Sequence, residues 1–274
     1  MNVQTARELD QTAPVLLYER DGPIAILTLN RPKARNSLSE ALLIALTEAL
    51  DEIAADKEVR AVVLTANGPA FCAGHDLKEL TAQRSDADGG RESFRTTMLT
   101  CSEMMQKIVN LPQPVIAAVQ GVATAAGCQL VASCDLAVAS DAAKFATPGV
   151  DIGLFCSTPM VALSRNVSRK HAMEMLLTGE MIAAKRAAEI GLINRVMPAG
   201  DELKSALALA KQIAAKSSYT LKVGKAAFYA QAEMGLAQAY AYASEVMTEN
   251  MMARDAEEGI CAFIDKREPT WEDR

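Results

Sequence analysis

Apolar residues in this chain fall into short continuous runs and into helical stripes, and the two alternate up to about Gly200. Val15–Glu19 and Pro23–Asn30 read as strands, separated by Asp21-Gly22, a hairpin turn signal. Asn30-Arg31-Pro32 stops the second of them, and Ser37-Leu-Ser-Glu40 has capping-box form, with Ser37 as N-cap. Leu38, Leu42, Leu46, Ala49, Leu50 and Ile53 then follow at helical spacing. Arg60–Ala66 (RAVVLTA) and Val115–Val119 are continuous apolar runs, the pattern of strands covered on both faces in a parallel sheet. Asn67–Leu80 reads as a loop entering a short helix, with Asp76 and Glu79 as a second capping box. Polar residues from Thr81 to Arg91 predict a surface loop, and a helix from Glu92 to Val109 follows. Pro114–Gly153 reads as a buried strand, a tight turn of small residues, a buried helix, a second strand and an extended loop. After it come helices around Met160–Arg165, Arg169–Leu177 and Ala183–Ile190, and a strand at Leu192–Met197. Four helical stretches, 203–215, 219–232, 236–253 and 256–266, complete the chain. Strands alternating with helices, followed by a helical end, give an α/β fold built of repeated units.

Composition narrows the function classes. Half of the 274 residues are apolar, yet no apolar run reaches the length of about 18 residues that spans a bilayer. The formal charge of −6 argues against a nucleic-acid surface. The first thirteen residues contain Glu8 and Asp10 and no apolar core, so they read as a flexible segment rather than a signal or transit peptide, and a cytoplasmic location is expected. The six cysteines are scattered without a CxxC pair, and there are only two histidines, which predicts reduced thiols and no metal site.

Four blocks, RPKARNSLS, GPAFCAGHDLKEL, PVIAAVQGVATAAGCQLVASCDLAVAS and LLTGEMIAAKRAAEIGLINRV, resemble the enoyl-CoA hydratase/isomerase (crotonase) superfamily in order and spacing. Within it, GVATAAGCQLVASCD and FATPGV…GLFCSTP are most similar to the domain-containing protein 3 group. The resemblance implies a crotonase-like spiral of repeated ββα units over 14–200 and a C-terminal helical trimerisation region over 201–274. It implies an acyl-CoA or enoyl-CoA ligand, no prosthetic group, and a homotrimer or dimer of trimers. Two backbone N–H groups, of His75 and Ala126, match the family's oxyanion hole, and the helix N-terminus behind Ala126 adds partial positive charge. Lys33, Ala34 and Arg35 match one CoA-binding loop, and Ala73, His75, Asp76 and Leu77 the other. Phe263 and Lys266 match a segment that covers the nucleotide, often from a neighbouring subunit.

The resemblance fails where hydration chemistry needs it. The two glutamates that deliver water in hydratases are replaced by Gln129 and Gly149. An amide orients a water or a carbonyl but does not exchange a proton near neutral pH, and glycine supplies no side chain. Asp151 shares a face with Gly149 if the loop is extended, and is otherwise a surface or loop-capping aspartate. The His75 ring either lies beside the thioester or turns to solvent or CoA. Cys128 and Cys156 flank the same region, as packing residues or as thiols that lack an evident activating base. Two functions remain open. One is an acyl-CoA enzyme with altered chemistry, such as isomerisation, thioester hydrolysis or decarboxylation. The other is a catalytically impaired acyl-CoA binding or regulatory module.

Overall fold

The computed structural model describes residues 13–274, so most of the expected N-terminal segment lies outside the described residues. Strands β1 (Leu16–Asp21) and β2 (Ile24–Leu29) form the hairpin, turning at Gly22 with φ of 58°. Helix α1 (Glu40–Ala55) follows, with Leu42, Leu43, Leu46, Ala49, Leu50 and Ile53 as its buried stripe. Its N-cap is Ser39, whose side chain accepts from the Leu42 N–H at 3.2 Å, not Ser37 as the capping-box pattern suggests. The start moves because Ser37 is drawn away: its hydroxyl donates to Asp76 at 3.2 Å.

Three successive units then build two sheets. Each unit lays one strand in the first sheet and one in the second. These pairs are β3 (Ala61–Ala66) with β4 (Ala70–Cys72), β5 (Val115–Val119) with β6 (Val122–Thr124), and β7 (Leu136–Ser140) with β8 (Lys144–Ala146). The first pair is followed by α2 (Leu77–Gln83) and α3 (Arg91–Asn110), and α4 (Ala126–Ser133) follows the second. After the third pair come a 3₁₀ turn (Pro148–Ile152), α5 (Pro159–Asn166) and α6 (Arg169–Thr178). β9 (Ile182–Ala183), α7 (Ala184–Glu189) and β10 (Arg195–Met197) close the core. The large sheet has the order β1-β2-β3-β5-β7-β10, parallel from β2 onward, and the small one β4-β6-β8-β9. This is the expected spiral of ββα units. Three segments that the sequence pattern assigns to no strand, at 70–72, 122–124 and 144–146, are the parallel strands of the small sheet.

The apolar runs are continuous because both faces of the large sheet are covered. Val62, Leu64, Val115, Ala117 and Val119 face the main core, shared with α1, α3 and α4. Their alternates Ala61, Val63, Ile116 and Ala118 face Ala206, Leu209 and Ala210 of α8 (Glu202–Ala214). Packing therefore joins α8 to the sheet. Helices α9 (Ser218–Ala232) and α10 (Leu236–Met251) contain no buried residue, and α11 (Arg254–Ile264) buries only Asp255 and Ala262. Among the described residues, no helix is long and apolar enough to cross a membrane.

Candidate active site

The site is assembled by three backbone joints. In the first, the segment after β4 pairs with Leu38, two residues before α1: the Leu38 N–H donates to the Gly74 carbonyl at 2.8 Å, and the Asp76 N–H donates to the Leu38 carbonyl at 3.1 Å. Successive N–H groups of extended chain point to opposite edges, so the His75 N–H is directed away from Leu38. In the second, Gly74 meets the turn that opens α4. A Cβ on Gly74, which has φ of 94°, would stand 2.9 Å from Ala125 Cβ and 3.4 Å from Ala126 N. Only glycine lets the two loops approach so closely. In the third, the Ala125 N–H donates to the Ala146 carbonyl at 3.0 Å, tying the turn to the end of β8. Gly127 completes the fit, because a Cβ there would lie 2.0 Å from the Cys72 carbonyl oxygen. The first turn of α4 thus rests directly on β4.

These joints bring together what the sequence placed together. The N–H groups of His75 and Ala126 sit on loops in contact, and neither donates to an acceptor among the described residues. Ala126 is the first residue of α4, whose eight residues are all buried, so the helix N-terminus adds its partial charge at the same place. The strain of the turn falls one residue earlier. Ala125 adopts φ of 51° and ψ of −120°, a conformation that favours glycine.

The CoA-loop candidates form one joined unit. The Ala73 N–H donates to the Arg35 carbonyl at 3.1 Å. Asn36, fully buried with φ of 52°, accepts from the Arg31 N–H at 2.7 Å and donates to the carbonyls of Asn67 and Ala70, both at 2.8 Å. Lys33 and Arg35 are exposed on a single 3₁₀ turn (Pro32–Ala34) and its left-handed cap, and Leu77 is 51% exposed. Asp76 has a different role from a free ligand-binding carboxylate. It caps α2 by accepting from the Lys78 N–H at 3.1 Å and pairs with Arg31 at 3.0 Å. These hydrogen bonds hold its carboxyl below the usual carboxylate range against the opposing effect of burial. Glu79 does not complete the second capping box; its carboxylate accepts from the Glu40 N–H at 3.0 Å. Arg31 and Asn36 were not singled out by the sequence, although asparagine beside a helix start is a signal for left-handed backbone.

Close in sequence to the two N–H groups, several polar side chains are buried without a partner. Gln129 is 5% exposed with Oε1 unpartnered, and Thr147 is fully buried with Oγ1 unpartnered. Both ring nitrogens of His75 are buried without a hydrogen bond, and burial pushes the imidazole below its ordinary pKa. Burial also pushes the Cys128 thiol up to about 12 and raises that of Cys156, so neither is an activated nucleophile. The extended loop expected at the end of Pro114–Gly153 is corrected at Pro148–Ile152. Pro148 at the start and Gly153 in a left-handed cap close a 3₁₀ turn, which removes the shared face of Gly149 and Asp151. Asp151 is exposed, and its Oδ2 would lie 3.2 Å from a Cβ on Gly179. Phe263 is 85% exposed, and no hydrogen bond or ion pair joins it or Lys266 to the two loops among the described residues.

The neutral imidazole gives a pH prediction. In the unfolded chain His75 titrates near 6.5, and in the folded protein below that value. Stability is therefore lost as pH falls from about 6.5 toward the folded pKa, by at most about 1.4 kcal/mol per pH unit. Urea unfolding of the protein and of His75→Gln at pH 7.5, 6.5 and 5.5 measures this as the difference between the two. Parallel curves would show that the ring is not held neutral by burial.

A family profile described as enoyl-CoA hydratase/isomerase matches residues 19–274. Rat mitochondrial enoyl-CoA hydratase domain-containing protein 3 is 48% identical over 253 residues, 92% of this chain and 82% of the rat protein. The crystal structure of an enoyl-CoA hydratase from Mycobacterium smegmatis superposes with a TM-score of 0.90 at 52% identity, covering 94% of this chain and 99% of that one. The crystal structure of human enoyl-CoA hydratase domain-containing protein 3 does so with a TM-score of 0.89 at 46% identity, covering 94% and 100%. The similarity to the domain-containing protein 3 group is thus upheld. The expectation of a cytoplasmic location is overturned, because the rat and human relatives are named as mitochondrial.

Proposed function

The chain belongs to the enoyl-CoA hydratase/isomerase family, and we propose that it is an enzyme that binds an acyl-CoA thioester and stabilises its enolate between the N–H groups of His75 and Ala126. The observation that carries this reading is the contact of Gly74 with Ala125–Ala126, which leaves two unused donors side by side at a helix N-terminus. Lys33, Arg35 and the backbone of Ala34, Ala73, Asp76 and Leu77 hold the CoA, since both loops are pinned together beside the donors. A homotrimer, or a dimer of trimers, covers the exposed apolar side chains Phe228, Leu236, Tyr240, Met247 and Phe263 of the last three helices. Incubation with enoyl-, acyl- and malonyl-type CoA esters in D₂O, followed by mass spectrometry, tests the reading. Turnover or deuterium at the α-carbon supports it. Saturable binding with neither supports the second reading, a catalytically impaired acyl-CoA binding module, which the absence of both carboxylates favours. No binding overturns both.

The absence of both carboxylates argues against ordinary hydration, and returning the glutamates is not expected to restore it. A Cβ on Gly149 would stand 2.6 Å from the Leu154 carbonyl oxygen and 2.9 Å from Cys156 Sγ, and the Leu154 N–H is bonded to the Gly149 carbonyl at 2.9 Å. The segment after the 3₁₀ turn occupies the space from which a glutamate would start. Gln129→Glu with Gly149→Glu is expected to leave crotonyl-CoA hydration near background and to cost about 1–3 kcal/mol through overpacking. Hydration assays and thermal unfolding of the double variant check this; a fast hydratase would refute it.

A further inference from the structure

We propose that Arg31 is a positioning residue for the His75 donor, and that it acts through two peptide groups bonded head to tail. The inference rests on the reading of the His75 N–H as a thioester donor and adds the side chain that aims and strengthens it.

A trans peptide is planar, with its C=O and N–H directed to opposite sides, so holding one aims the other. The donor belongs to the peptide that joins Gly74 to His75. The carbonyl of that peptide, on Gly74, accepts from the Leu38 N–H at 2.8 Å. The Leu38 N–H belongs in turn to the peptide that joins Ser37 to Leu38. The carbonyl of this second peptide, on Ser37, accepts from Arg31 Nη1 at 2.6 Å. One guanidinium, two peptides and the His75 N–H therefore stand in single file.

The end of the file needs an external hold. Gly74 has φ of 94° and no Cβ, so little in its own backbone resists rotation of the Gly74–His75 peptide. Half a turn there would put a carbonyl where the donor stands. The pairing of Leu38 with His75 is an isolated bridge, outside any named strand. The hold comes from Arg31, which is itself fixed at several points. Its N–H donates to Asn36 Oδ1 at 2.7 Å, its Nη2 to Asp76 Oδ2 at 3.0 Å, and its Nη1 also to the Ser37 hydroxyl at 3.2 Å. That hydroxyl donates to the same Asp76 oxygen at 3.2 Å.

Electrostatics acts in the same direction as geometry. A charged donor at the head of the file polarises the Ser37–Leu38 peptide, and each polarised peptide becomes a stronger donor to the next group. Asp76 neutralises the guanidinium at longer range, so its effect reaches His75 through the bonded peptides rather than as a bare positive field. The choice of arginine follows. A lysine brings one compact ammonium without a planar fork, which cannot meet the Ser37 carbonyl and the Asp76 carboxylate at fixed angles together.

The test uses the full chain and butyryl-CoA labelled with ¹³C at the thioester carbonyl, read by NMR at saturating ester. Hydrogen bonding from the donors should move the bound carbonyl downfield of the free ester. Arg31→Met should lose most of that displacement while the ester still binds, and Arg31→Lys should lose about half of it. Glu79→Gln, which weakens the neighbouring tie to the Glu40 N–H without touching the file, should keep it in full. If Arg31→Met does not fold or does not bind, Arg31→Lys decides alone. An undiminished displacement in either Arg31 variant overturns the proposal and leaves the thioester reading standing. An equal loss in Glu79→Gln also overturns it, because the loops would then respond to any loosening. A bound ester whose carbonyl is not displaced in the intact protein removes the two donors, and absence of binding removes the thioester site itself.

Discussion

Replacing Ala126 with proline, in a chain that also carries Ala125→Gly, is expected to lower kcat for any thioester turned over by about 10²–10³-fold while α4 remains folded. Ala126 is the first helical residue, with Ala125 as N-cap. Proline is accepted at that position, since its N–H would have no partner within the helix. The substitution therefore removes one atom of interest, the donor hydrogen. The companion change is needed because Ala125 stands at φ of 51° and ψ of −120°. That conformation costs a non-glycine residue about 1–3 kcal/mol, and a following proline narrows it further. Ala125→Gly alone is the reference for the double variant. The donor acts on charge that develops only as the enolate forms, so kcat should fall more than KM rises. Steady-state kinetics with circular dichroism of both variants provide the measurement. A double variant within about threefold of its reference would remove Ala126 from the mechanism.

What pointed to this candidate site in the sequence was the resemblance of two loops to a known family, and what hid part of it was backbone conformation. Ala73-Gly74-His75 and Ala125-Ala126-Gly127 match the family's two donor loops, whereas small residues alone would read equally as close packing. The φ of Ala125 has no signature, because nothing in an alanine announces a left-handed turn. The large sheet was readable because β3 and β5 are five or six residues long and buried on both faces, so their runs are unbroken. The small sheet was not, because β4, β6 and β8 have three residues each, too few for a period to emerge. The 3₁₀ turn at 148–152 did carry a signal. Proline at its first position and glycine at its left-handed end bracket a turn, and read together they would have kept Asp151 out of the pocket. The knot around Asn36 depends on partners thirty or more residues away, at Asn67 and Ala70, which only the folded chain brings near.

Lys225→Met is expected to destabilise the attachment of the C-terminal helices by about 3–5 kcal/mol, the usual cost of breaking a buried ion pair from one side. Lys225 lies on α9 with its side chain 8% exposed, and all three of its ammonium hydrogens have acceptors. They go to the carbonyls of Ile108 and Gln113, both at 3.1 Å, and to Asp135 Oδ2 at 2.7 Å. Burial pushes the amine below its ordinary pKa, and the Asp135 carboxylate pulls it back. Asp135 in turn accepts from the Val115 N–H at 2.7 Å and from Tyr229 at 2.9 Å. One ammonium thus ties α9 to the end of α3, to the start of β5 and to the residue before β7. Because α9 and α10 bury no apolar side chain of their own, polar ties of this kind do the work that an apolar face does for α8. Methionine keeps the length of the side chain but takes a donor from the Gln113 carbonyl and leaves the Asp135 carboxylate without its counter-ion. Hydrogen exchange should then show residues 218–251 losing protection while β3 and β5 keep theirs. Tyr229→Phe, which removes one neutral donor to the same carboxylate, should cost about 1 kcal/mol. If protection of 218–251 is unchanged in Lys225→Met, the tie is not what holds these helices, and their attachment must come from the C-terminal residues Trp271 and Asp273, which bond to the Ala215 carbonyl and to Arg60.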